Sequence, residues 1–432
     1  MMKHLLPILG SASLLMGACT QDGPANPWEF DGDAGTDGGD VTECRTPTEW
    51  QPKRVENSDS RAPRGPMLTE THLVVSQSDS LRQLWVALDL QTEEVVWSSP
   101  PGQQVRAASG NRVLLFTETE EGQRVARIVD VSDSSEVARI DLSEDTRANP
   151  DYEPALKIFD GRRFVLKRRD APDGSPGRVV YYDGSARRLV DVGARIQTGP
   201  VLIDGGFAAV VRNGSAPGER TSDVVVYSEG AGAVAPVTKS EAAERGLISD
   251  GSTAGWVTSS GVYFLRSAGS SASKVYDGSC GRISVDEGSL AFLCREEGSD
   301  NWPDGPASGT VLKYFDGERV RTVEAAEPPI YTVAVDDGRF VWIRPEEESE
   351  GFPAVGRETA GRLMVAWGYD APAIDIGARS GFPCFSCSAL WPPVYLSMGA
   401  GRVAWSYDRT DRGSEDPNAR GGIGYAIPEL CP

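Results

Sequence analysis

The chain of 432 residues contains one pair of cysteines, Cys384 and Cys387, with the Cys-x-x-Cys spacing used in redox chemistry. A reactive pair stands at the start of a helix, which lowers the pKa of the first thiol. No helix pattern follows here, because Trp391-Pro392-Pro393 comes directly after the pair. A zinc site needs about four ligands, and His72 is the one histidine beyond position 4. We therefore interpret the pair as a structural disulfide, with redox activity and metal binding as alternatives.

Four further cysteines lie at positions 44, 280, 294 and 431. With the pair above they make an even set, which in an exported chain predicts disulfides. Cys44 and Cys431 bracket the region beyond residue 43, so a bond between them would tie its ends together. Cys280 and Cys294 are expected at the end of one repeat and on the second strand of the next.

Other catalytic signatures are missing from the sequence. There is no G-x-S-x-G nucleophile motif, and no glycine-rich phosphate loop leads from a strand into a helix. His72 is followed by Leu73-Val74-Val75, which indicates a strand residue rather than a general base. Paired carboxylates for glycoside hydrolysis stay open as an alternative, because acids occur throughout the chain. The sequence thus favours a protein that is not an enzyme and predicts no cofactor and no metal ion.

The net charge is −20, and residues 44–432 carry −14 of it. Binding to nucleic acid requires a basic face that meets the phosphates. The composition therefore excludes nucleic acid as the expected partner, and it does not identify another ligand.

The first 19 residues have the pattern of a targeting segment. Lys3 precedes the apolar run 5–16, and Gly17-Ala18-Cys19 ends it. This resembles a bacterial lipoprotein signal, which implies cleavage before Cys19 and lipidation of its side chain. Met16 stands where that signal usually has leucine, and the alternative is ordinary signal cleavage with Cys19 as a free thiol.

Residues 20–43 contain seven acids and neither lysine nor arginine. The run 31–40 is rich in Asp and Gly, as calcium loops are, but it lacks the glycine and the glutamate that an EF-hand places at positions 6 and 12. We interpret residues 20–43 as a flexible tether with a reach of roughly 25–30 Å.

A recurring hairpin organises residues 44–432, the third predicted segment. Its clearest copy is residues 331–343, YTVAVDDGRFVWI, in which two alternating apolar runs flank an Asp-Gly turn. Seven further copies follow the same plan, at intervals of about 47 residues, a blade-sized period. A second hairpin accompanies most copies, so each period holds four antiparallel strands that need neighbours to cover both faces.

The repeats predict an all-β fold, a β-propeller of eight four-stranded blades. Residues 50–55 are expected to supply the last strand of the last blade and so to close the ring by overlap. Seven blades would result if the weak first copy, around His72, only completed the last blade. A β-sandwich or a solenoid with the same strand density is the alternative fold.

Long insertions fall almost entirely between second and third strands, at 170–177, 213–222, 296–309, 345–361 and 408–422. In a propeller these connections all open from one face, together with the inter-blade segment 384–393, and insertions gathered on one face mark a binding face. Trp302, Phe352, Phe385 and Trp391 are the candidate apolar anchors for a partner on that face. The acidic run Glu346-Glu347-Glu348 is expected to be a solvated loop.

Residues 84–97, LWVALDLQTEEVVW, resemble one quinoprotein-type propeller repeat, and the other copies are similar to TolB-type repeats. With the lipid signal, the chain resembles bacterial β-propeller lipoproteins of the envelope. The resemblance implies a monomeric, non-enzymatic binding or scaffolding protein at the outer membrane or cell surface, facing an envelope or extracellular protein or a glycan. The alternative is an enzyme that uses the central channel, either a quinone-cofactor oxidoreductase or a carbohydrate-active hydrolase.

Overall fold

The computed structural model describes residues 50–55, 66–79, 82–118, 123–142, 157–168, 177–213, 221–238, 245–295, 310–326, 330, 332–345, 360–381, 396–399, 401–407 and 422–428. These residues form 31 β-strands and no helix, which confirms the predicted all-β class. They all belong to one compact unit, Thr46–Pro432.

The strands group into eight antiparallel sheets, called blades 1 to 8. Blade 1 has β2 (Met67–Leu68), β3 (His72–Asp79), β4 (Arg82–Asp89) and β5 (Val95–Ser98). Blade 2 has β6 (Gln104–Ser109), β7 (Arg112–Glu118), β8 (Arg124–Asp130) and β9 (Glu136–Asp141). Blade 3 has β10 (Phe164–Arg168), β11 (Arg178–Tyr182) and β12 (Arg187–Asp191). Blade 4 has β13 (Arg195–Ile203), β14 (Gly206–Asn213), β15 (Thr221–Ser228) and β16 (Ala233–Pro236).

The second half of the ring repeats this plan. Blade 5 has β17 (Arg245–Ser249), β18 (Ala254–Thr258), β19 (Gly261–Leu265) and β20 (Ser273–Asp277). Blade 6 has β21 (Cys280–Asp286), β22 (Ser289–Arg295), β23 (Thr310–Phe315) and β24 (Val320–Thr322). Blade 7 has β25 (Thr332–Asp336), β26 (Arg339–Pro345), β27 (Ala360–Ala366) and β28 (Ile374–Gly381). Blade 8 has β29 (Leu396–Gly399), β30 (Arg402–Tyr407), β31 (Gly422–Pro428) and β1 (Trp50–Arg54).

The hairpin of blade 7 shows why these residues fold locally as they do. Val333 and Val335 alternate with residues that face the other side, and both are buried. Asp336 pairs with Arg339, so Asp337 and Gly338 alone form the turn. Both have positive φ, 48° and 68°, as a two-residue turn of the primed type requires. Glycine takes this conformation without strain, and aspartate tolerates it.

Blade 3 departs from the four-stranded prediction. Its innermost segment makes a single bridge, between Phe159 and Phe164, in place of a strand. Phe159 and Ile158 nevertheless stay buried in the core, so the segment keeps the position of an inner strand without its regular hydrogen bonding.

Neighbouring blades are held together by apolar side chains packed between their faces. Trp342 of blade 7 shares a buried cluster with Leu312 of blade 6, and Trp405 of blade 8 shares one with Val341 of blade 7. A cluster of this kind joins every pair of neighbours around the ring, including blades 8 and 1. Eight blades therefore close into one propeller, as predicted, rather than seven.

Ring closure also follows the prediction. β1 pairs antiparallel with β31, from Trp50 opposite Pro428 to Arg54 opposite Gly424. The first strand along the chain thus becomes the outermost strand of the last blade. The edge of β31 is covered, and the ends of the propeller are fixed to each other by strand pairing.

Cys280 and Cys294 form a disulfide, as an even set of cysteines predicted. The expected position of Cys280 at the end of the preceding repeat is wrong, because Cys280 begins β21, the inner strand of blade 6. It lies directly opposite Cys294 on β22, so the bond joins two strands of one blade. Cys19, Cys44, Cys384, Cys387 and Cys431 lie outside the described residues, and their predicted roles stay predictions.

We expect the double variant Cys280→Ala/Cys294→Ala to lose about 2–4 kcal/mol of unfolding free energy, because the bond closes a chain segment in the unfolded state. Urea denaturation followed by tryptophan fluorescence measures the loss. The single variants are the controls, since each already breaks the bond, and the double variant should lose little more than either. An unchanged urea midpoint in all three variants would contradict the prediction.

Candidate functional site

The two ends of the propeller are built differently. At one end, called the short-turn end, the first and second strands of each blade are joined by only two or four residues. At the other, called the long-loop end, the connections from second to third strand range from two residues in blades 1 and 5 to 14 in blades 6, 7 and 8. The predicted gathering of insertions at one end is therefore confirmed.

The longest connections from second to third strand belong to three consecutive blades. Residues 296–309 connect β22 to β23 in blade 6, residues 346–359 connect β26 to β27 in blade 7, and residues 408–421 connect β30 to β31 in blade 8. The inter-blade segment 382–395, from β28 to β29, opens at the same end between blades 7 and 8. We call the long-loop end of blades 6 to 8, with these four connections, the loop sector.

The predicted apolar anchors belong to this sector by their connections. Trp302 lies between β22 and β23, Phe352 between β26 and β27, and Phe385 and Trp391 between β28 and β29. The four side chains lie outside the described residues, so their role in partner binding stays a prediction. The structure places the strand ends that carry them at one end of three adjacent blades.

The strands below the sector are fixed by a covalent bond and by side-chain contacts. The disulfide between Cys280 and Cys294 lies at the long-loop end of blade 6, one residue before the segment 296–309 leaves β22. The same segment ends at Thr310, the first residue of β23. The Oγ1 atom of Thr310 accepts a hydrogen bond of 3.3 Å from the Ile330 amide. In blade 7, Arg362 pairs with Asp375 at 3.3 Å. Long connections therefore start and end on positions that packing and bonding hold in place.

At the short-turn end, side chains of one turn bind the backbone of the next. The Asp337 amide donates to the Asp286 carboxylate at 2.6 Å, which joins blades 7 and 6. The Gly401 amide donates to Asp336 at 2.8 Å, which joins blades 8 and 7. Arg112 of blade 2 donates to the Gly161 carbonyl of blade 3 at 3.1 Å. These bonds join turns of neighbouring blades, and we call the ring of turns at this end the rim.

Asp286 is electrostatically the most perturbed carboxyl of this rim. Burial raises its pKa to about 7, the Asp337 amide lowers it in part, and the carboxylates of Asp336, Glu287 and Asp250 raise it further. A carboxyl with such a pKa is partly protonated at neutral pH, which lowers the repulsion among the acids around it.

Lys157 lies at the centre of a second group on the same end, an element that the sequence analysis missed. Burial lowers the pKa of its ammonium, whereas Asp250, Asp160 and Glu70 raise it in part. These carboxylates come from blades 5, 3 and 1, so the lysine lies near the propeller axis. The sequence did contain a signal for this lysine. Lys157 lies two residues before Phe159, which pairs across the turn, and in blade 4 the equivalent position is Val201. Other copies also have apolar or small residues at this position.

His72 lies on β3, as expected for a strand residue, and is buried. Its Nδ1 atom is 2.8 Å from Oγ1 of Thr71. Burial lowers the pKa of the imidazole, and the carboxylates of Asp89 and Asp130 raise it in part.

Within the described ranges, no three His, Cys, Asp or Glu side chains come close enough together to hold a metal ion. Among the same residues there is no helix of the length and apolarity needed to cross a membrane.

Neither a family model nor a curated protein sequence matches the chain. Similar solved structures include the acylaminoacyl peptidase of Pyrococcus horikoshii, with 11% identity and a TM-score of 0.42 over 84% of this chain and 61% of the peptidase. The β-propeller domain of the Trilobed protease from Pyrococcus furiosus has 12% identity and a TM-score of 0.39, over 76% of this chain and 84% of that one. An oligogalacturonate lyase in complex with manganese has 12% identity and a TM-score of 0.46, over 83% of this chain and 97% of the lyase. The chain thus spans about three fifths of the peptidase, and likenesses of this strength carry no conclusion about function.

The raised pKa of Asp286 predicts a pH-dependent cost to stability. The folded state holds the proton more tightly than the unfolded state, so the stability that this group contributes is full below about pH 4 and is lost as the pH rises to about 7. Asp286→Asn keeps an acceptor for the Asp337 amide and carries no charge. We expect it to gain about 2 kcal/mol over the natural protein at pH 8, and much less at pH 4.

Urea unfolding of both proteins between pH 4 and pH 8 measures this difference. Asp286→Ala is the matched control, because it removes the charge and the acceptor together. It should be less stable than Asp286→Asn by about 1 kcal/mol at every pH. A gain for Asp286→Asn that is equal at pH 4 and pH 8 would show that ionisation of Asp286 is not the cause.

Proposed function

We propose that the chain is a lipid-anchored, non-enzymatic binding or scaffolding protein of the bacterial cell envelope. It holds an envelope or extracellular partner at the loop sector and is anchored through Cys19. The observation that carries the proposal is the gathering of the three longest second-to-third-strand connections on adjacent blades at one end of a closed ring. Extended connections on a rigid scaffold are a usual way to build a recognition surface.

The composition of the sector indicates the chemistry of the partner. Residues 296–309, 346–359 and 408–421 contain 13 acids and four arginines. Residues 382–395 contain no charged residue and include Phe382, Phe385, Trp391 and Tyr395. Acidic segments on both sides of an uncharged aromatic one favour a partner with a basic rim and an apolar centre, since complementary charge steers association and aromatic anchors supply affinity.

The entry of the chain into the propeller is consistent with this role. Trp50 pairs with Pro428, and Pro428 is the end of β31 remote from residues 408–421. β1 therefore begins at the short-turn end. The chain that leads from Cys19 joins the propeller at the end opposite the loop sector.

Replacement of residues 346–359 by a two-residue Asn-Gly turn tests the loop sector. We expect chemical cross-linking in the producing cells, affinity purification and mass spectrometry to find one stoichiometric partner with the natural chain. The shortened variant should capture at least about tenfold less partner. Loss of an interface anchor costs about 1.4 kcal/mol or more of binding free energy, and about 1.4 kcal/mol corresponds to a tenfold change in affinity.

The matched control replaces residues 169–177 of blade 3, a nine-residue connection at the same end on another part of the ring, and should leave capture unchanged. Equal capture by both variants would count against the loop sector. Turnover of a glycan, or a quinone chromophore in the purified protein, would instead support an enzyme of the central channel.

Cys19→Ser tests the anchor. We expect the natural chain to fractionate with membranes and to partition into detergent, because several acyl chains give stable anchoring at about 0.8 kcal/mol per buried CH₂. The variant should lose this behaviour, and mass spectrometry should find no acylated N-terminal peptide. Equal membrane association of the variant and the natural chain would contradict lipidation at Cys19.

A further inference from the structure

Two arginines lie directly opposite each other at the long-loop end of blade 3. Arg168, the last residue of β10, pairs with Arg178, the first residue of β11. Like charges that face each other on neighbouring strands are destabilising, whereas opposite charges are favourable. At the equivalent place, blades 1 and 2 pair an acid with an arginine, Asp79 with Arg82 and Glu118 with Arg124. Blade 3 therefore carries an electrostatic cost where the sequence of blades 1 and 2 avoids one.

Blade 4 presents a second pair of arginines at the same end. Arg195 begins β13 and pairs with Arg212 near the end of β14. Arg178 and Arg195 are exposed to solvent, and Arg168 and Arg212 are half-buried. Neighbouring strands lie about 4.8 Å apart, so both members of a pair can contact one anionic group. We call these four residues the arginine sector.

The two blades are fixed to each other at the arginine sector. The Gly177 amide donates to the Ala194 carbonyl at 2.8 Å, and Arg178 and Arg195 directly follow these two residues. A Cβ atom at Gly177 would lie 2.6 Å from Cγ1 of Ile196, so the blades leave no room for a side chain here. Successive residues of a strand point to opposite faces. Arg178 and Arg195 therefore point away from this contact, on the two outer sides of the pair of blades.

Acids near the arginine sector compensate its charge in part. Asp191 pairs with Arg178, and Asp223 is one residue from the strand partner of Arg212. The long-loop end of blades 3 and 4 contains seven cations and five acids, a net charge of +2, counted over residues 167–178, 191–195 and 212–223. Residues 143–156, which lead from blade 2 to blade 3 at this end, contain four acids and one arginine. They are the alternative occupant of the arginine sector within the chain.

The arginine sector and the loop sector lie on opposite sides of the ring. In a closed ring of eight blades, blades 3 and 4 are four places away from blades 7 and 8. The three longest connections of the loop sector contain 13 acids and four arginines, a net charge of −9. A partner that covers the long-loop end therefore meets acidic connections on one side and paired arginines on the other. Because charges across an interface are arranged to be complementary, this end fits a partner with opposite charges on its two sides.

We propose that the arginine sector binds a carboxylate-rich protein segment, which makes the partner acidic over blades 3 and 4 and basic over the loop sector. The inference rests on the proposed function, since it assigns a second contact to the same partner. Guanidinium groups form paired hydrogen bonds with carboxylates, and a bound carboxylate offsets the repulsion within each arginine pair. Acidic side chains on a flexible segment reach arginines on two sides of a pair of blades, whereas a stiff acidic glycan follows one side.

The first test is capture of the partner by cross-linking in the producing cells. The double variant Arg178→Glu/Arg195→Glu should capture at least about tenfold less partner than the natural chain, because attraction to carboxylates becomes repulsion. Each substitution places an acid opposite an arginine, Arg168 or Arg212, so the fold should be retained, and thermal unfolding checks this. Arg162→Glu, at an exposed arginine in the short turn of blade 3, is the matched control and should leave capture unchanged. Equal capture by the double variant and the natural chain would overturn the proposal and leave the loop sector in place.

The second test needs no partner and is therefore independent of the proposed function. Fluorescence anisotropy compares the binding of labelled peptides of four glutamates and of four glutamines to the purified full chain. We expect the glutamate peptide to bind at least about fivefold more tightly at about 50 mM salt and to lose this advantage at about 300 mM, where charges are screened. The double variant should lose the advantage as well, and Arg162→Glu should keep it.

The outcomes of the peptide test separate the occupants of the arginine sector. Equal binding of the two peptides to the natural chain would overturn the proposal, as expected if residues 143–156 already cover the arginines. Tighter binding of an oligosaccharide of four uronic acids than of the glutamate peptide would also overturn it, in favour of an acidic glycan. Binding of the glutamate peptide with no partner captured by the natural chain would support the arginine sector and contradict the proposed function.

Discussion

The structure depends on the packing of each blade against both of its neighbours. A blade is a sheet with two apolar faces, and no blade can bury both faces alone. Tyr425 of blade 8 and Leu73 of blade 1 share a buried cluster, so the last blade is covered by the first in the same way as any other pair. This arrangement requires the pairing of β1 with β31, because without it the outer part of blade 8 would lack a strand and its edge would be open.

A closed ring separates the two ends of the molecule physically. At the short-turn end, two-residue and four-residue turns leave little freedom, and the bonds from Asp286 and Asp336 to the next turns hold the rim together. At the long-loop end, second-to-third-strand connections of up to 14 residues begin and end on fixed strands. Insertions there change the surface without changing the packing between blades. A long-loop end of this kind is free to vary, while the short-turn end holds neighbouring blades together.

The rim at the short-turn end accommodates charges that would be costly in a less constrained fold. Asp286 is buried beside other carboxylates, and Lys157 is desolvated while its nitrogen has no bonded partner in the described structure. Backbone pairing and apolar clusters around the whole ring hold both residues where they are. Strained or poorly paired polar groups persist in proteins only where the surrounding structure over-determines them, and they tend to lie at sites that act.

The sequence by itself determined the all-β class and the closing strand, and it favoured eight blades while leaving seven open. These features follow from local rules, because alternation of apolar residues sets the strands, Asp-Gly pairs set the turns, and their repetition sets the ring. The end from which the long connections open also followed, since antiparallel pairing fixes the alternation of connections. The candidate anchors in those connections lie outside the described residues. Their role in partner binding therefore stays a prediction from the sequence.

Only the tertiary structure decided which distant residues meet. Local patterns did not reveal that Cys280 begins the same blade that contains Cys294, or that the inner segment of blade 3 makes a single bridge. They gave no indication that Lys157 lies among carboxylates of blades 1, 3 and 5. The physical reason is that these residues are brought together by closure of the ring, which places residues that are far apart in the chain around one axis.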